Sequence, residues 1–398
     1  MQTQFDEKIS PSNESPRPHA ESIWITPAWQ RGVMALAGLL VLAAVVISLV
    51  HPQPGRPAKP GATPTAQPAA LPAAATVVNG RVVVAQVGVK AWVDVTPNMR
   101  LDKKDMITTW FVKPQVGWTF VATGSSATST TVTAWRTVDG GETWHQAVVA
   151  QLVHGASLLA TSFVSEMHGW LLVSFSETGS DRPGTLFETR DGGLTWQQLP
   201  APSGGAMTFT SDTTGWITGG RVNFARNLLF VTHDGGKTWA QVTLAMPAGF
   251  TAPNIEMTTP TFTSPRDGVF AANLETEVAL YDTHDGGQTW VPGAAFPVPA
   301  QDRAALPALL ATEKQLIVFA GSTAQRSTDG GKTWAAMPQP DKRKVFAIGQ
   351  IGDGSVWAQT VPAWCSAEFF GRCDSAALYV TGDEATWASP KLTTPTPE

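Results

Sequence analysis

Short apolar segments bounded by turn residues recur along the chain from about residue 105 onward. In the first copy they are Met106–Val112, Gly117–Ala122, Thr131–Arg136 and His145–Ala150. Further copies begin near Leu158, Ala206, Ile255, Ala308 and Val345. No stretch after residue 77 has a sustained helical period, and short strands separated by turns are typical of all-β folds. The pattern therefore predicts an all-β domain built from repeats of four strands.

The same polar turn follows the third apolar segment of each repeat. Its six copies are Thr137–Trp144, Thr189–Trp196, Thr232–Trp239, Thr283–Trp290, Ser327–Trp334 and Thr381–Trp387. Five copies contain Asp-Gly-Gly and end in Thr-Trp, and the sixth reads Thr-Gly-Asp-Glu-Ala-Thr-Trp. The aspartates recur at positions 139, 191, 234, 285, 329 and 383. A period of this length indicates a stacked or radial architecture, and four strands per repeat favour a β-propeller.

The residue types of this turn suit a hairpin that closes on itself. Glycine supplies the positive φ that tight turns need, and the aspartate can accept hydrogen bonds from nearby backbone N–H groups. The tryptophan should return a large apolar ring beneath the neighbouring sheet. The predicted structural residues are Asp139, Asp191, Asp234, Asp285, Asp329, Asp383, Trp144, Trp196, Trp239, Trp290, Trp334 and Trp387. Calcium binding is the alternative, but each turn offers one fixed carboxylate where calcium wants about six to eight oxygens. We predict no metal and no cofactor.

A Gly-Trp pair recurs at a second position of the repeat. It is Gly117-Trp118 in the first copy, Gly169-Trp170 in the second and Gly215-Trp216 in the third. The pair is predicted to start the second strand of each repeat. We therefore assign most of the 16 tryptophans to packing between repeats rather than to carbohydrate binding.

The polar turn resembles the Asp-box, or BNR repeat, of sialidases, xyloglucan-degrading hydrolases and the photosystem II assembly-factor family. The resemblance covers about residues 105–390 and implies a β-propeller of the WD40/YVTN/BNR-like superfamily. We expect six four-stranded blades, with residues 77–100 as an additional edge strand. Seven blades, one of them seeded by 77–100, are the alternative. Propellers of the assembly-factor type are non-catalytic and bind membrane-protein partners, so the resemblance implies a binding or assembly module.

An exo-acting, sialidase-like glycoside hydrolase is the alternative function. That resemblance implies a tyrosine nucleophile, an aspartate and three arginines. The chain has two tyrosines, Tyr281 and Tyr379, and both fall at an aromatic position of the repeat. Arginines that could converge are Arg221, Arg226, Arg266 and Arg303, and acids outside the boxes include Glu166, Glu188, Asp212, Glu256, Asp267, Glu275 and Glu277. No spacing among them is one that chemistry demands, so we predict no catalytic residues and leave enzymatic activity as the alternative.

The region before the propeller divides into three parts. Residues 1–31 are polar and aperiodic, which predicts a disordered cytoplasmic N-terminus. Gly32–Val50 is an uncharged apolar run that is long enough for a single transmembrane helix. A buried soluble helix and a cleaved signal peptide are the alternatives. Residues 51–76 form a Pro/Ala-rich linker, and 77–398 form the propeller domain. We therefore expect a single-pass protein of the cell membrane with an extracytoplasmic propeller.

The net charge limits the classes of partner that the sequence predicts, and the two cysteines predict a covalent cross-link. The net charge is −5 with no basic tract, which argues against nucleic acid. Cys365 and Cys373 lie in an insertion, Ala363–Ser375, and are predicted to form a disulfide, with free buried thiols as the alternative. The expected partners are the membrane, through one helix, and a protein or glycan bound by a monomeric propeller. The longest variable connections should carry the contacts: Thr123–Thr130, Glu177–Gly184, Arg221–Asn227 and Ala363–Ser375.

Overall fold

A computed structural model describes the propeller region of the chain. The described residues are 73–86, 91–102, 105–126, 129–153, 155–175, 184–219, 229–247, 256–302, 306–362, 365 and 375–393. The predicted N-terminal region, the predicted transmembrane helix and most of the predicted linker lie outside them. Within the described part of the chain, no helix is long and apolar enough to cross a membrane.

Seven sheets follow one another along the chain and form the seven blades of an all-β propeller. Blade 1 begins with β1 (Ala75–Val78), β2 (Arg81–Ala85) and β3 (Ala91–Asp94). Blade 2 contains β4 (Met106–Lys113), β5 (Val116–Ser126), β6 (Ser129–Thr137) and β7 (His145–Leu152). Blade 3 contains β8 (Ala156–Phe163), β9 (Gly169–Phe175), β10 (Thr185–Thr189) and β11 (Gln197–Leu199). Blade 4 contains β12 (Met207–Phe209), β13 (Gly215–Thr218), β14 (Leu229–Thr232) and β15 (Ala240–Val242).

The later blades depart slightly from the four-strand pattern. Blade 5 contains β16 (Glu256–Met257), β17 (Thr261–Phe262), β18 (Gly268–Asn273), β19 (Glu277–Thr283) and β20 (Val291–Pro297). Its first two strands both pair with β18, so the inner strand is interrupted. A 3-10 turn (Ala300–Asp302) precedes blade 6, which contains β21 (Ala308–Ala311), β22 (Leu316–Ala320), β23 (Thr323–Ser327) and β24 (Ala335–Ala336). Blade 7 contains β25 (Lys344–Gln350), β26 (Val356–Val361) and β27 (Ala377–Thr381), and the last strand is β28 (Lys391–Thr393).

The expectation of six blades with an extra edge strand is wrong, and the seven-blade alternative is confirmed. The first three strands form a sheet of their own, and β28 completes it by pairing in parallel with β3. The first strand begins at Ala75, just inside the predicted linker. Because the chain leaves blade 7 after its last box, that sheet keeps three strands and one isolated bridge, Val380 to Ala388. Both ends of the propeller region thus meet in blade 1 and close the ring.

Aromatic stacks join neighbouring blades and explain the Gly-Trp pairs. A phenylalanine of the first strand stands directly opposite the glycine in the antiparallel register, as Phe163 does with Gly169 and Phe209 with Gly215. A Cβ at Gly215 would lie 2.5 Å from the Phe209 ring, so only glycine fits under it. The ring of Phe209 also stacks on Trp170 of the preceding blade, with centroids 3.6 Å apart. The Trp118–Phe163 stack repeats this arrangement, and Trp216 and Phe262 form a tilted contact with ring centroids 4.9 Å apart.

Candidate functional site

The Asp-box of blade 4 shows how each of these turns closes. Asp234 Oδ1 accepts from the backbone N–H of Thr238 at 2.9 Å and from the Thr232 hydroxyl at 2.8 Å. Its Oδ2 accepts from the Thr238 hydroxyl at 2.6 Å. The hydrogen bonds from Thr238 hold the pKa of Asp234 at about 2. Gly236, at φ +93°, donates to the Thr232 hydroxyl, a conformation that favours glycine. The carboxylate is therefore fully engaged inside its own turn.

All six predicted aspartates occupy such turns at the end of the third strand. Each accepts the hydroxyl of the Thr or Ser two residues earlier, and that hydroxyl-bearing residue is buried in every copy. The first glycine of the box makes a further backbone hydrogen bond to the turn between the first two strands of the same blade. Gly192 N–H donates to Met167 O and Gly235 N–H donates to Thr213 O, both at 2.9 Å. Within the described residues, no group of three or more His, Cys, Asp or Glu is arranged to hold a metal ion.

The tryptophans of the boxes differ in burial. Trp290 is 4% exposed, whereas Trp144, Trp196, Trp239, Trp334 and Trp387 are partly buried against the clusters they contact. The tryptophans of the Gly-Trp pairs are fully buried. Two of them also form hydrogen bonds to the following blade. Trp118 Nε1 donates to Gly192 O at 2.8 Å, and Trp170 Nε1 donates to Gly235 O at 3.0 Å. The box thus receives a hydrogen bond from the preceding blade, which its own sequence does not reveal.

The two tyrosines differ in their surroundings. Tyr281 is 1% exposed and lies parallel to Phe270, with ring centroids 4.9 Å apart. Burial raises its pKa. Burial also raises the pKa of Tyr379, whose hydroxyl is hydrogen-bonded to Asp341. Of the four candidate arginines, Arg266 donates to the carbonyl of His284, and Arg221, Arg226 and Arg303 lie outside the described residues.

Most of the candidate acids are paired with neighbouring side chains. Glu166 forms an ion pair with Lys113. Asp267 accepts from Ser264 at 2.7 Å and contacts His284 Nδ1 at 2.7 Å, and these two contacts lower its pKa. Glu275 adopts a positive φ of 71° in the turn before β19, and Glu277 begins that strand. The side chain of Glu256 lies outside the described residues.

Glu188 and Asp212 are brought together around His168, a grouping that sequence reasoning missed. His168 is 6% exposed, with Nε2 2.8 Å from Glu188 Oε1 and Nδ1 2.7 Å from Asp212 Oδ1. Glu188 is 4% exposed and also pairs with Arg190 at 2.6 Å. Because ionised carboxylates only accept hydrogen bonds, both ring nitrogens donate when both acids are charged. The histidine therefore ties blade 3 to blade 4 through both acids.

A cavity of about 560 Å³ lies where the inner strands of all seven blades meet. None of the described residues that line it is charged. They are Ala75–Val77, Asn79, Met106–Trp110, Leu159, Ala160, Gly204–Ala206, Thr218, Gly219, Met257–Thr259, Leu306–Leu309, Phe346–Ile348, Trp357, Gln359, Val361 and Ala376. A glycoside hydrolase needs two acids about 5–10 Å apart. No such pair is present in the described wall of the cavity.

Polar groups of the wall bond to one another across the junction of blades 1 and 7. The Thr76 hydroxyl donates to Gln359 Oε1 at 2.6 Å, and Gln359 Nε2 donates to Val77 O at 2.8 Å. Asn79 bonds both backbone groups of Ala376, at 2.9 and 3.2 Å. In blade 2, the Thr109 hydroxyl donates to Trp118 O at 2.9 Å. These bonds fix the wall and leave a mainly apolar interior.

Seven blades, six of which carry an Asp-box turn, around a cavity whose described wall is uncharged define a propeller of the BNR-repeat class. A sequence profile described as photosynthesis system II assembly factor YCF48 matches residues 148–361, more than half of the chain. The chain therefore belongs to the YCF48 family of photosynthesis system II assembly factors.

Solved structures with a similar fold include two YCF48 proteins. YCF48 bound to D1 peptide is 21% identical, with a TM-score of 0.38, and the match covers 59% of this chain and 68% of that one. YCF48 from Cyanidioschyzon merolae is 14% identical, with a TM-score of 0.43 and coverage of 69% and 81%. The GH74 xyloglucanase from Xanthomonas campestris is 15% identical, with a TM-score of 0.47 and coverage of 81% and 46%. No curated protein matches the chain in sequence.

Proposed function

We propose that this protein is a non-catalytic binding or assembly module that holds a segment of a protein partner in its central cavity. The observation that carries the proposal is the wall of that cavity, to which all seven blades contribute and in which no described residue is charged. A cleft that accepts a ligand without acid, base or nucleophile supports binding rather than turnover. Membership of an assembly-factor family supports a protein as the ligand.

Two of the variable connections identified in the sequence are the proposed points of first contact. Gly219 lines the cavity and precedes the variable connection Arg221–Asn227. Val361 and Ala376 also line it, and they flank the insertion Ala363–Ser375. A rigid scaffold with variable loops at one rim is the usual arrangement for recognition. Described residues that adjoin both connections line the cavity, which supports these connections as points of contact with a partner.

The proposed location is the outer side of the cell membrane, with Gly32–Val50 as the anchor and the proline-rich linker as a spacer. The supporting observations are the uncharged apolar run and the linker composition. Protease added to intact spheroplasts should remove the propeller. Full protection would contradict this topology, whereas release of a form that lacks residues 1–50 would show a cleaved signal peptide.

The binding function is tested with the full chain in a mild detergent. A pull-down from the native membrane should recover a specific protein partner, and the purified protein should leave sialosides and β-glucans uncleaved. Recovery of glycans in place of a protein would show that the partner is a glycan. Turnover of a glycoside that is lost on changing Glu166, Asp212 or Asp267 would establish the hydrolase alternative.

The predicted Cys365–Cys373 bridge is tested separately, on the exported protein. Cys365 is buried and is a disulfide-bonded residue, whereas Cys373 lies outside the described residues. The pairing stays a prediction. Non-reducing mass spectrometry of the exported protein should show a linked peptide pair, and two free thiols would rule the bridge out.

A further inference from the structure

We propose that the central cavity selects an uncharged, apolar stretch of its protein partner and excludes charged ones. This inference rests on the proposed function, which makes the guest a protein segment. It adds the chemistry of that segment, which neither the fold nor the family assigns.

The interior surface of the cavity is dominated by hydrocarbon from several blades. Lining side chains that are only partly buried include Trp110 from blade 2, Leu309 from blade 6, and Phe346 and Ile348 from blade 7. An apolar guest that leaves water and packs against such a wall gains binding free energy roughly in proportion to the apolar area that it buries. The volume of about 560 Å³ lies within the range of ordinary ligand pockets.

Polar atoms of the wall offer little to a charged guest because many are already bonded within the protein. Thr76, Gln359 and Asn79 bond across the junction of blades 1 and 7, as described above. In blade 4, the Thr218 hydroxyl accepts from Ala206 N–H at 3.0 Å. A buried charge needs a partner charge or several hydrogen bonds to offset its lost hydration. The described wall supplies no partner charge.

Carboxylates near the lining segments in sequence are engaged by the protein itself. Asp302 Oδ2 accepts from the backbone N–H and the hydroxyl of Ser322, at 2.9 and 2.6 Å. Asp105, next to Met106, accepts from Asp102 N–H at 2.8 Å. Asp341 accepts from the Thr360 hydroxyl at 2.9 Å. None of the three lines the cavity. The described wall is therefore uncharged even though acidic residues lie close to its segments in the sequence.

The test uses the full chain in lipid nanodiscs and three capped pentapeptides that differ only at the central residue. The parent is acetyl-Ala-Val-Ala-Leu-Ala-amide, and its central alanine is replaced by glutamate or by lysine. Binding is measured by isothermal titration calorimetry. We expect the alanine peptide to bind roughly tenfold more tightly than either charged peptide, because only it can be desolvated without an unpaired charge.

A charge placed in the wall locates the binding site. Thr108→Asp puts a carboxylate on the cavity side of blade 2, whereas the control Gln146→Asp puts one at an exposed position of β7 in the same blade. Thr108→Asp should lower the affinity for the alanine peptide about tenfold and raise the affinity for the lysine peptide, since the carboxylate in the wall now offers a partner charge. Gln146→Asp should leave all three affinities unchanged. Circular dichroism checks that both variants remain folded.

Three results would overturn the inference. They are equal or tighter binding of a charged peptide by the unmodified chain, indifference of the alanine peptide to Thr108→Asp, and binding of none of the peptides. If the pull-down still recovers a protein partner, the proposed function survives such a result and only the chemistry of the guest is wrong. If the pull-down also fails, both proposals fall.

Discussion

Gly215 has no room for a side chain because the ring of Phe209 lies directly over it. That ring also contacts the preceding blade. A methyl group at Gly215 would lie 2.5 Å from the Phe209 ring, and that ring is held against Trp170. Gly215→Ala should therefore destabilise the fold by about 1–3 kcal/mol, the usual cost of overpacking. Urea unfolding followed by circular dichroism measures the change.

Gly382→Ala is the matched control for this substitution. The nearest atom to a Cβ at Gly382 is the Ser355 hydroxyl oxygen at 4.0 Å, so the added methyl group meets no obstacle. Its unfolding midpoint should stay close to that of the unmodified protein. Equal losses in the two variants would mean that the Phe209 ring is free to move and that the stack is not rigid.

Two tryptophans of different position should differ in their contribution to stability. Trp170 is fully buried, stacks on Phe209 and donates to Gly235 O, whereas Trp239 is only partly buried. Trp170→Ala should cost about 3–5 kcal/mol in the free energy of unfolding. Trp239→Ala should cost clearly less. Denaturant titration of both variants decides the order, and a larger loss for Trp239→Ala would contradict the assignment of the blade contacts.

Acidification should weaken the propeller through its Asp-box turns. Hydrogen bonds from Thr238 lower the pKa of Asp234 from 3.8 to about 2, and those from Thr333 lower the pKa of Asp329 in the same way. A carboxyl whose pKa is lower in the folded state stabilises that state above its unfolded pKa. The contribution is complete above about pH 4 and is lost as the pH falls towards 2.

The melting temperature measured between pH 5 and pH 2.5 tests this effect. It should fall as the pH is lowered, and the fall should be shallower in Asp234→Asn, which has no proton to gain at that site. The same variant should be less stable than the unmodified protein at pH 5. Identical slopes for the two proteins would show that the turn does not bind its carboxylate in the charged form.

At the scale of strands, the last strand of the chain completes the first blade. β28 pairs with β3 over three residues, and Leu392 remains partly exposed, so the gain is mainly in backbone hydrogen bonds. Deletion of residues 391–398 should lower the free energy of unfolding by about 2 kcal/mol or more, at about 0.5–1.5 kcal/mol for each bond lost. Deletion of 394–398 alone is the control. Equal stability of the two truncated proteins in urea would show that β28 does not close the ring.

Local contacts of the Asp-boxes could be predicted because their partners are close in sequence. Asp234 bonds to Thr232 and Thr238, two and four residues away, and the residue types alone indicate such a turn. The first blade was harder to recognise because its strands lack a box and its fourth strand comes from the far end of the chain. No local pattern around Ala75–Asp94 reveals that pairing.

Long-range contacts could not be inferred in the same way. His168 meets Glu188 and Asp212 only because blades 3 and 4 pack side by side, and the two acids belong to different blades. The burial of Trp170 rather than Trp239 likewise depends on which face each strand turns to its neighbour. Sequence periodicity assigns side chains to faces of a strand but does not say which faces meet.

At the scale of the whole molecule, the character of the cavity required the assembled ring. Its described wall combines short segments from seven blades, including Met106 in blade 2 and Ala376 in blade 7, which are far apart in the sequence. Each segment taken alone resembles any apolar strand. Only their convergence shows that the described wall of the cavity carries no charge, and the proposed binding function rests on this feature.

Closure of the ring by both ends of the propeller region also sets an order of events during synthesis. The ribosome makes β1–β3 first and β28 last, so the outer edge of β3 has no partner until the final residues have emerged. An unpaired strand edge invites association with other chains. A chain whose translation stops before residue 391 therefore keeps this edge open to association with other chains.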